Sequence, residues 1–207
     1  MATDKKPATE MTMDILPERM PLVPESQWTE EQRAVLGELT KSRGGVRGPF
    51  GALIRNPKLV DNMQRLGGYI RFGSSLELRV NRVASLLTTR HYGNQYEWAT
   101  NVPLAQQAGL RQHIIDAIGE GRRPTDMDTD EETAYDFATE ALTHKSVCDT
   151  TYARAVKQFG ENGVIDMLAV IGYYGFLALV MNVTRTAVPD GKPLPLAPMP
   201  LMAKPRM

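Results

Sequence analysis

The chain is expected to fold as an all-α bundle of about seven to nine helices with extended arms at both ends, and three observations carry that expectation. Apolar residues recur at helical spacing in one segment after another. No alternating apolar–polar run reaches strand length, and the β-branched residues mostly fall inside the helical stripes. Capping signatures, Thr29 with Gln32 and Thr129 with Glu132, stand where new stripes begin.

Residues 1–28 carry charge but no apolar core of a signal peptide, so they read as an arm. The first helix follows Thr29 to about Lys41, with Ala34, Val35, Leu36 and Leu39 as its apolar face. The next stretch, SRGGVRGPFG, reads as a loop. Its glycines permit close backbone approach to a ligand and Arg43 and Arg47 can meet an anion; a solvated turn with two exposed arginines is the plainer alternative. Asn56-Pro57 opens a helix bearing Leu59, Met63, Leu66 and Ile70, with proline at its first turn. Ser74 with Glu77 opens another, whose stripe of Leu76, Val80, Val83, Ala84 and Leu87 runs to about Tyr92 before Gly93 breaks it.

Asn94 then caps a helix that closes at Gly109, and a short helix follows around 112–118. Thr129 starts the next, to about His144; Asp149 caps one ending near Gly160, and Asn162 caps a long apolar one. Gly109 and Gly160 each end a helix preceded by a cap and a longer helix, a faint internal repeat. One domain over 29–188 follows from this reading, with 189–207 a Pro-rich extended tail.

Charge narrows the function. The 207 residues include 24 basic and 24 acidic ones, and no basic block is interleaved with aromatics, so a nucleic-acid partner is not expected. The single cysteine, Cys148, allows no intrachain disulfide, no CxxC pair and no thiolate-rich zinc site; it fits a reducing, cytoplasmic setting and reads as a small buried residue. The segment 164–183 is long and apolar enough to suggest a membrane span. Asp166, Asn182, the central GYYG and the lack of a basic flank favour instead a buried helix at the centre of a homo-oligomer, with no membrane partner.

The stretch from Arg90 to Gly109 is the richest in chemistry. Asn94, Glu97 and Asn101 are spaced to share one helix face, which Ala105 and Ala108 extend in small residues that leave room for a ligand. Arg90, His91 and Tyr92 precede the turn and can fold back toward Glu97 as an acid–base cluster. Beside Trp98 and small apolar residues, Glu97 is expected to titrate closer to working pH, as a general acid or base requires; a buried ion pair with Arg90 or another arginine is the alternative. His91 reads either as a second acid–base group or as a helix C-terminal residue favoured by the macrodipole. With His113 and His144 as the only other histidines, no pair has metal-ligand spacing, so no metal is expected. Tyr173 and Tyr174 either line a pocket or pack across a boundary.

The block GNQYEWATN resembles the carboxymuconolactone decarboxylase-like superfamily, which includes the alkylhydroperoxidase D-like proteins. Asn94 stands at the family's first cysteine position, Glu97 at the second and Asn101 at the histidine position, while Tyr96, Glu97 and Trp98 form a triplet typical of decarboxylase-like members. VIGYYGFLALVMNVTRTAVPDG resembles the family's C-terminal helix, and the likeness spans roughly 30–196. It implies the alkylhydroperoxidase D-like helical bundle and a trimer, hexamer or dimer. The missing thiols exclude the family's peroxidase chemistry unless Cys148 acts alone, and the relay glutamate twelve residues before the first cysteine position falls on Arg82.

The function implied is a cofactor-independent lyase, decarboxylase or isomerase that moves a proton next to a carbonyl of a small carboxylate or lactone. Glu97 would move the proton, Arg90 or Arg47 would hold the carboxylate or enolate, and His91 would orient oxygen atoms with Asn94 and Asn101. Asn94, Asn101, Tyr96, Tyr92, Tyr173 and Tyr174 would complete the binding set. A catalytically silent oligomer is the alternative; it requires Glu97 sealed in a salt bridge with no cavity beside it.

Overall fold

The computed structural model describes residues 17–188, without the side chains of 41–43, and 195–196; the expected arm over 1–16 and most of the tail lie outside the described residues. Eight α-helices appear among them: α1 (Glu30–Arg43), α2 (Pro49–Leu53), α3 (Pro57–Phe72), α4 (Leu78–His91), α5 (Gln95–Gln107), α6 (Gln112–Glu120), α7 (Thr129–His144) and α8 (Asp149–Thr184). No strand occurs among the described residues, so the all-α expectation holds. Helix α4 is central: it packs on α5, α6, α7 and α8, while α8 also meets α2, α3 and α7.

Local chemistry explains the boundaries. Thr29 Oγ1 accepts from the Gln32 N–H (3.2 Å) and Gln32 Oε1 accepts from the Thr29 N–H (2.9 Å), the reciprocal box that starts α1. The Gln32 amide also donates to Ile54 O at 3.1 Å, tying α1 to the end of α2. Asn56 caps α3 through the Leu59 N–H at 3.1 Å. Of the tail, Leu196 is buried and exchanges two backbone bonds of 2.8 and 2.9 Å with the Gln95 side chain, docking on the first turn of α5.

Several expected details change. The Gly-rich loop is shorter, because α2 begins inside it at Pro49. Helix α4 starts at Leu78, since Ser74 Oγ is engaged elsewhere and Glu77 takes the N-cap place. The cap of α7 is Asp128, not Thr129. Glu131 accepts from the Asp128 N–H at 2.8 Å and, fully buried, also takes Arg79 of α4 (2.5 Å) and Arg111 before α6 (2.7 Å), which fixes the register one residue earlier than Thr129 with Glu132 would. Cys148 occupies the N-cap place of α8 and is exposed, not buried, with Asp149 the first helical residue. The break before the apolar helix lies at Gly160 (φ 70°, ψ 170°), rather than at a cap by Asn162. Beyond it, α8 has the length and composition of a membrane span, yet 56% of its most apolar window is buried against the rest of the chain.

Asp166 on α8 is 3% exposed and accepts from Tyr69 Oη (2.7 Å), Ser75 N (2.6 Å), Ser75 Oγ (2.7 Å) and Ser74 Oγ (3.2 Å). It thereby fastens α3 and the α3–α4 turn to α8. Burial alone raises a carboxyl, but donation from Tyr69, Ser75 and Ser74 outweighs it and holds Asp166 below the usual range. A group depressed in this way contributes stability that is complete above its unfolded pKa, about 3.9, and is lost as pH falls through the folded value. Asp166→Asn is therefore expected to cost about 2–3 kcal/mol at pH 7. Thermal melts from pH 7 to 3 should show the gap to wild type narrowing only below about pH 4; a gap constant over that range would remove the role.

Candidate active site

Helix α5 begins because Asn94 Oδ1 accepts from the Glu97 N–H at 2.8 Å, directly after Gly93 turns the chain at φ 59°. The Asn94 amide nitrogen donates to Asn182 Oδ1 (2.7 Å) and Ala178 O (3.3 Å), and Asn182 donates to Tyr92 O (2.8 Å). These bonds lock the start of α5 to α8. They also use up Asn94, which caps the helix and does not line the cavity below.

One helical turn on, Glu97 (6% exposed) and Asn101 (2% exposed) face the interior. Asn101 Nδ2 donates to Glu97 Oε2 at 2.6 Å, and Asn101 Oδ1 accepts from Arg82 Nη1 at 3.1 Å. The same Arg82 nitrogen donates to Tyr174 Oη at 3.0 Å. A buried carboxylate, amide, guanidinium and phenol from α4, α5 and α8 thus form one chain of hydrogen bonds. Burial pushes the Tyr174 hydroxyl above its ordinary pKa; the Arg82 charge opposes this while Glu97 and Tyr173 add to it. Tyr174 stays a neutral donor.

This network borders a cavity of about 290 Å³ lined by Glu97, Asn101, Tyr173, Tyr174, Tyr96 and Arg47 among others. Phe50, Leu104 and Leu177 supply apolar wall, and Arg71 joins Arg47 as a second cation. Arg47, Tyr96 and Thr100 also line an adjoining groove of about 600 Å³, bounded by Glu18, Met20 and Leu22 of the N-terminal arm and by Thr186 and Ala187. They stand between the inner cavity and the outer groove.

Six of the ten expected site residues therefore meet: Glu97, Asn101, Tyr96, Arg47, Tyr173 and Tyr174. Arg90 and His91 do not join them. They lie at the end of α4 on a separate cavity of about 170 Å³, with Leu87, Ile118, Arg122 and Leu142. The reason is the helix itself, which carries both side chains past the turn toward α6 and α7 instead of folding them back over α5. Burial, and then the charge of Lys145, lowers the His91 pKa. Tyr92 packs on Gly175, where an added Cβ would stand 3.1 Å from its ring.

Sequence reasoning missed Arg82 as a member of the site and Arg71 as a cation at it. Arg82 was visible only as a departure, a cation at the position where the resembled family carries its relay glutamate. Nothing in local spacing announced Arg71.

No family model and no curated protein sequence matches the chain. Among solved structures it is similar to the apo debrominase Bmp8, with a TM-score of 0.66 and 14% identity over 83% of this chain and 92% of the other. The two share a fold. A cysteine-to-alanine variant of the same debrominase in complex with 2,3,4-tribromopyrrole matches equally, at a TM-score of 0.66 and 14% identity over 83% of this chain and 91% of the other.

The entrance rests on Gly48, at φ 57° and ψ −130°, where an added Cβ would stand 2.6 Å from Tyr96 Cε1. Gly48→Ala is expected to cost about 1–3 kcal/mol, because the backbone is strained for an L residue and Tyr96 must also move. Gly51→Ala, one helical turn on, meets only Leu22 Cβ at 3.9 Å and is expected to be neutral or stabilising by less than about 1 kcal/mol. Paired denaturant titrations check this, and equal effects would remove the special standing of Gly48.

Proposed function

We propose that the chain is a cofactor-independent lyase, decarboxylase or isomerase of the carboxymuconolactone decarboxylase-like family, acting by proton transfer on a small carboxylate or lactone. The observation that carries this reading is that Glu97, Asn101 and Tyr174 line one cavity while Arg82 joins Asn101 and Tyr174 from behind. The carboxylate can take a proton from the carbon next to a carbonyl. The electron pair of that C–H bond then moves onto the carbonyl oxygen, where the Tyr174 O–H can donate to the forming enolate. Tyr174 is oriented for this because its oxygen already accepts from Arg82, which leaves the hydroxyl proton to point elsewhere. In a decarboxylation the departing CO2 would leave the same enolate, and a carboxylic acid at Glu97 would return a proton to carbon. Arg47 and Arg71 at the same cavity suit the carboxylate of such a substrate.

The silent-oligomer alternative expects Glu97 sealed in a salt bridge with no cavity beside it, and the cavity at Glu97 favours the catalytic reading over it. Thiol peroxidation finds no thiol at the site: Cys148 stands exposed at the head of α8 and lines neither the cavity nor its groove.

Turnover of carboxylated lactones, β-keto acids and 2,3,4-tribromopyrrole, followed by mass spectrometry, tests the reading. Wild type is expected to convert one of the carboxylated compounds. Folded Glu97→Gln should do so at least ~100-fold more slowly, and Tyr174→Phe should lose roughly 10²–10³ in kcat as a missing oxyanion donor does. If Glu97→Gln turns over like wild type, or no carboxylated compound is converted, the silent-oligomer reading replaces this one. Debromination that survives Cys148→Ala would point to a different chemistry at the same cavity.

A further inference from the structure

The groove outside the inner cavity is the larger of the two spaces, about 600 Å³ against about 290 Å³, and the two share Arg47, Tyr96 and Thr100. One wall of it is the N-terminal arm, and hydrogen bonds hold that wall in place. The Arg19 N–H donates to Thr184 O at 2.8 Å, the Ala187 N–H to Glu18 Oε1 at 2.7 Å, and Arg55 Nη2 to Pro21 O at 2.9 Å. The arm is thus tied to the C-terminal end of α8 and to the residues just past α2. Met20 and Leu22 nevertheless stay exposed on it, at 45% and 44%, and both line the groove with Val46 and Ala52.

The polar side chains beside them are already engaged. Glu18 accepts from Ala187, Thr100 Oγ1 donates to Tyr96 O (3.1 Å) and Glu97 O (3.2 Å), and Thr186 Oγ1 pairs with Thr184 Oγ1 at 3.0 Å. A guest therefore meets apolar side chains in the groove and a cation, Arg47, where the groove adjoins the inner cavity. Gly51 widens the space further: a Cβ added there meets only Leu22 Cβ, at 3.9 Å.

We propose that this groove takes an alkyl or aryl substituent of the substrate, which is then an amphipathic acid. Its carboxylate lies at Arg47, its reacting carbon inward at Glu97 and Tyr174, and its apolar tail outward against Met20 and Leu22. The inference rests on the reading of the inner cavity as the reaction site and narrows that reading. A small acid without a tail would occupy only the smaller space and leave the two exposed side chains in water. A dicarboxylate would set its second anion in a groove whose only cation, among the described residues lining it, is the Arg47 already used, with Glu18 beside it.

Isothermal titration calorimetry with straight-chain alkanoates from butanoate to decanoate tests this, because these acids bind without reacting. Kd is expected to fall roughly threefold for each methylene that enters the groove, and at least about 10²-fold from butanoate to decanoate. Gly51→Leu fills the groove and should reduce that ratio to less than about tenfold. Met20→Ser combined with Leu22→Ser strips the exposed wall and should lower the ratio at least about threefold; both positions are exposed, so the pair guards against a Gly51 variant that fails to fold. A flat series, or a rise with length that survives Gly51→Leu, would overturn the proposal. So would a rise that appears only once residues 1–16 are removed, which would assign the groove to the chain's own N-terminus. Turnover reports on the reaction separately. A rise with chain length while Glu97→Gln turns over like wild type keeps the groove and removes the reaction, and a flat series with Glu97-dependent turnover of β-keto acids does the reverse.

Discussion

A helix packed against neighbours on four sides has to satisfy its own polar side chains, and α4 is such a helix. It buries Asn81, Arg82, Ser85, Thr88, Thr89 and Arg90 alongside its aliphatic residues. The three hydroxyls solve the problem locally, with Ser85, Thr88 and Thr89 donating to the carbonyls of Arg82, Ala84 and Ser85. Asn81 reaches across to Ile70 O at 2.8 Å. Arg82 has no local solution. Its guanidinium must find oxygen on other helices, and Asn101 of α5 and Tyr174 of α8 supply it. The cost of leaving a buried charge without such partners is several kcal/mol, so this one side chain fixes how three helices meet.

The cavity follows from that constraint. Because Asn101 is held by Arg82 on one side, its amide nitrogen is free to face Glu97, and the carboxylate is presented to the cavity in a set orientation. Asn101 thus links the arginine to the carboxylate, so a cation and an anion share one hydrogen-bonded chain at the cavity. A polar site with fixed dipoles is the kind of environment that stabilises charge as it develops during a reaction.

The sequence made the α-helical class plain, along with most element positions, because those signals are local. Thr29, Asn56 and Asn94 cap helices through their own side chains, at positions readable from three or four neighbouring residues. What stayed hidden was decided at a distance. Thr129 resembles a cap, but Glu131 is claimed by Arg79 and Arg111 from two other elements, and the register moves. Ser74 resembles a cap too, and is drawn off by Asp166, ninety-two residues away. At the site, Glu97, Asn101 and Tyr174 were legible from their helical faces and from a family likeness. Arg90 and His91 were placed with them by proximity along the chain, which the turn at Gly93 does not convert into proximity in space.

Gly160 gives the molecule two regimes of motion. Its left-handed φ interrupts the ladder of α8, so the hydrogen bonds of 149–159 do not continue into those of 161–184. The first segment buries only Ala155 completely, whereas the second contributes twelve buried residues to the core and to the cavity wall. Fluctuations that open the first segment need expose little apolar surface and can occur without disturbing Tyr173 or Tyr174. Amide protons on the two sides of one glycine are thus expected to fall in different cooperative units, one exchanging through local fraying and the other only when the whole bundle comes apart.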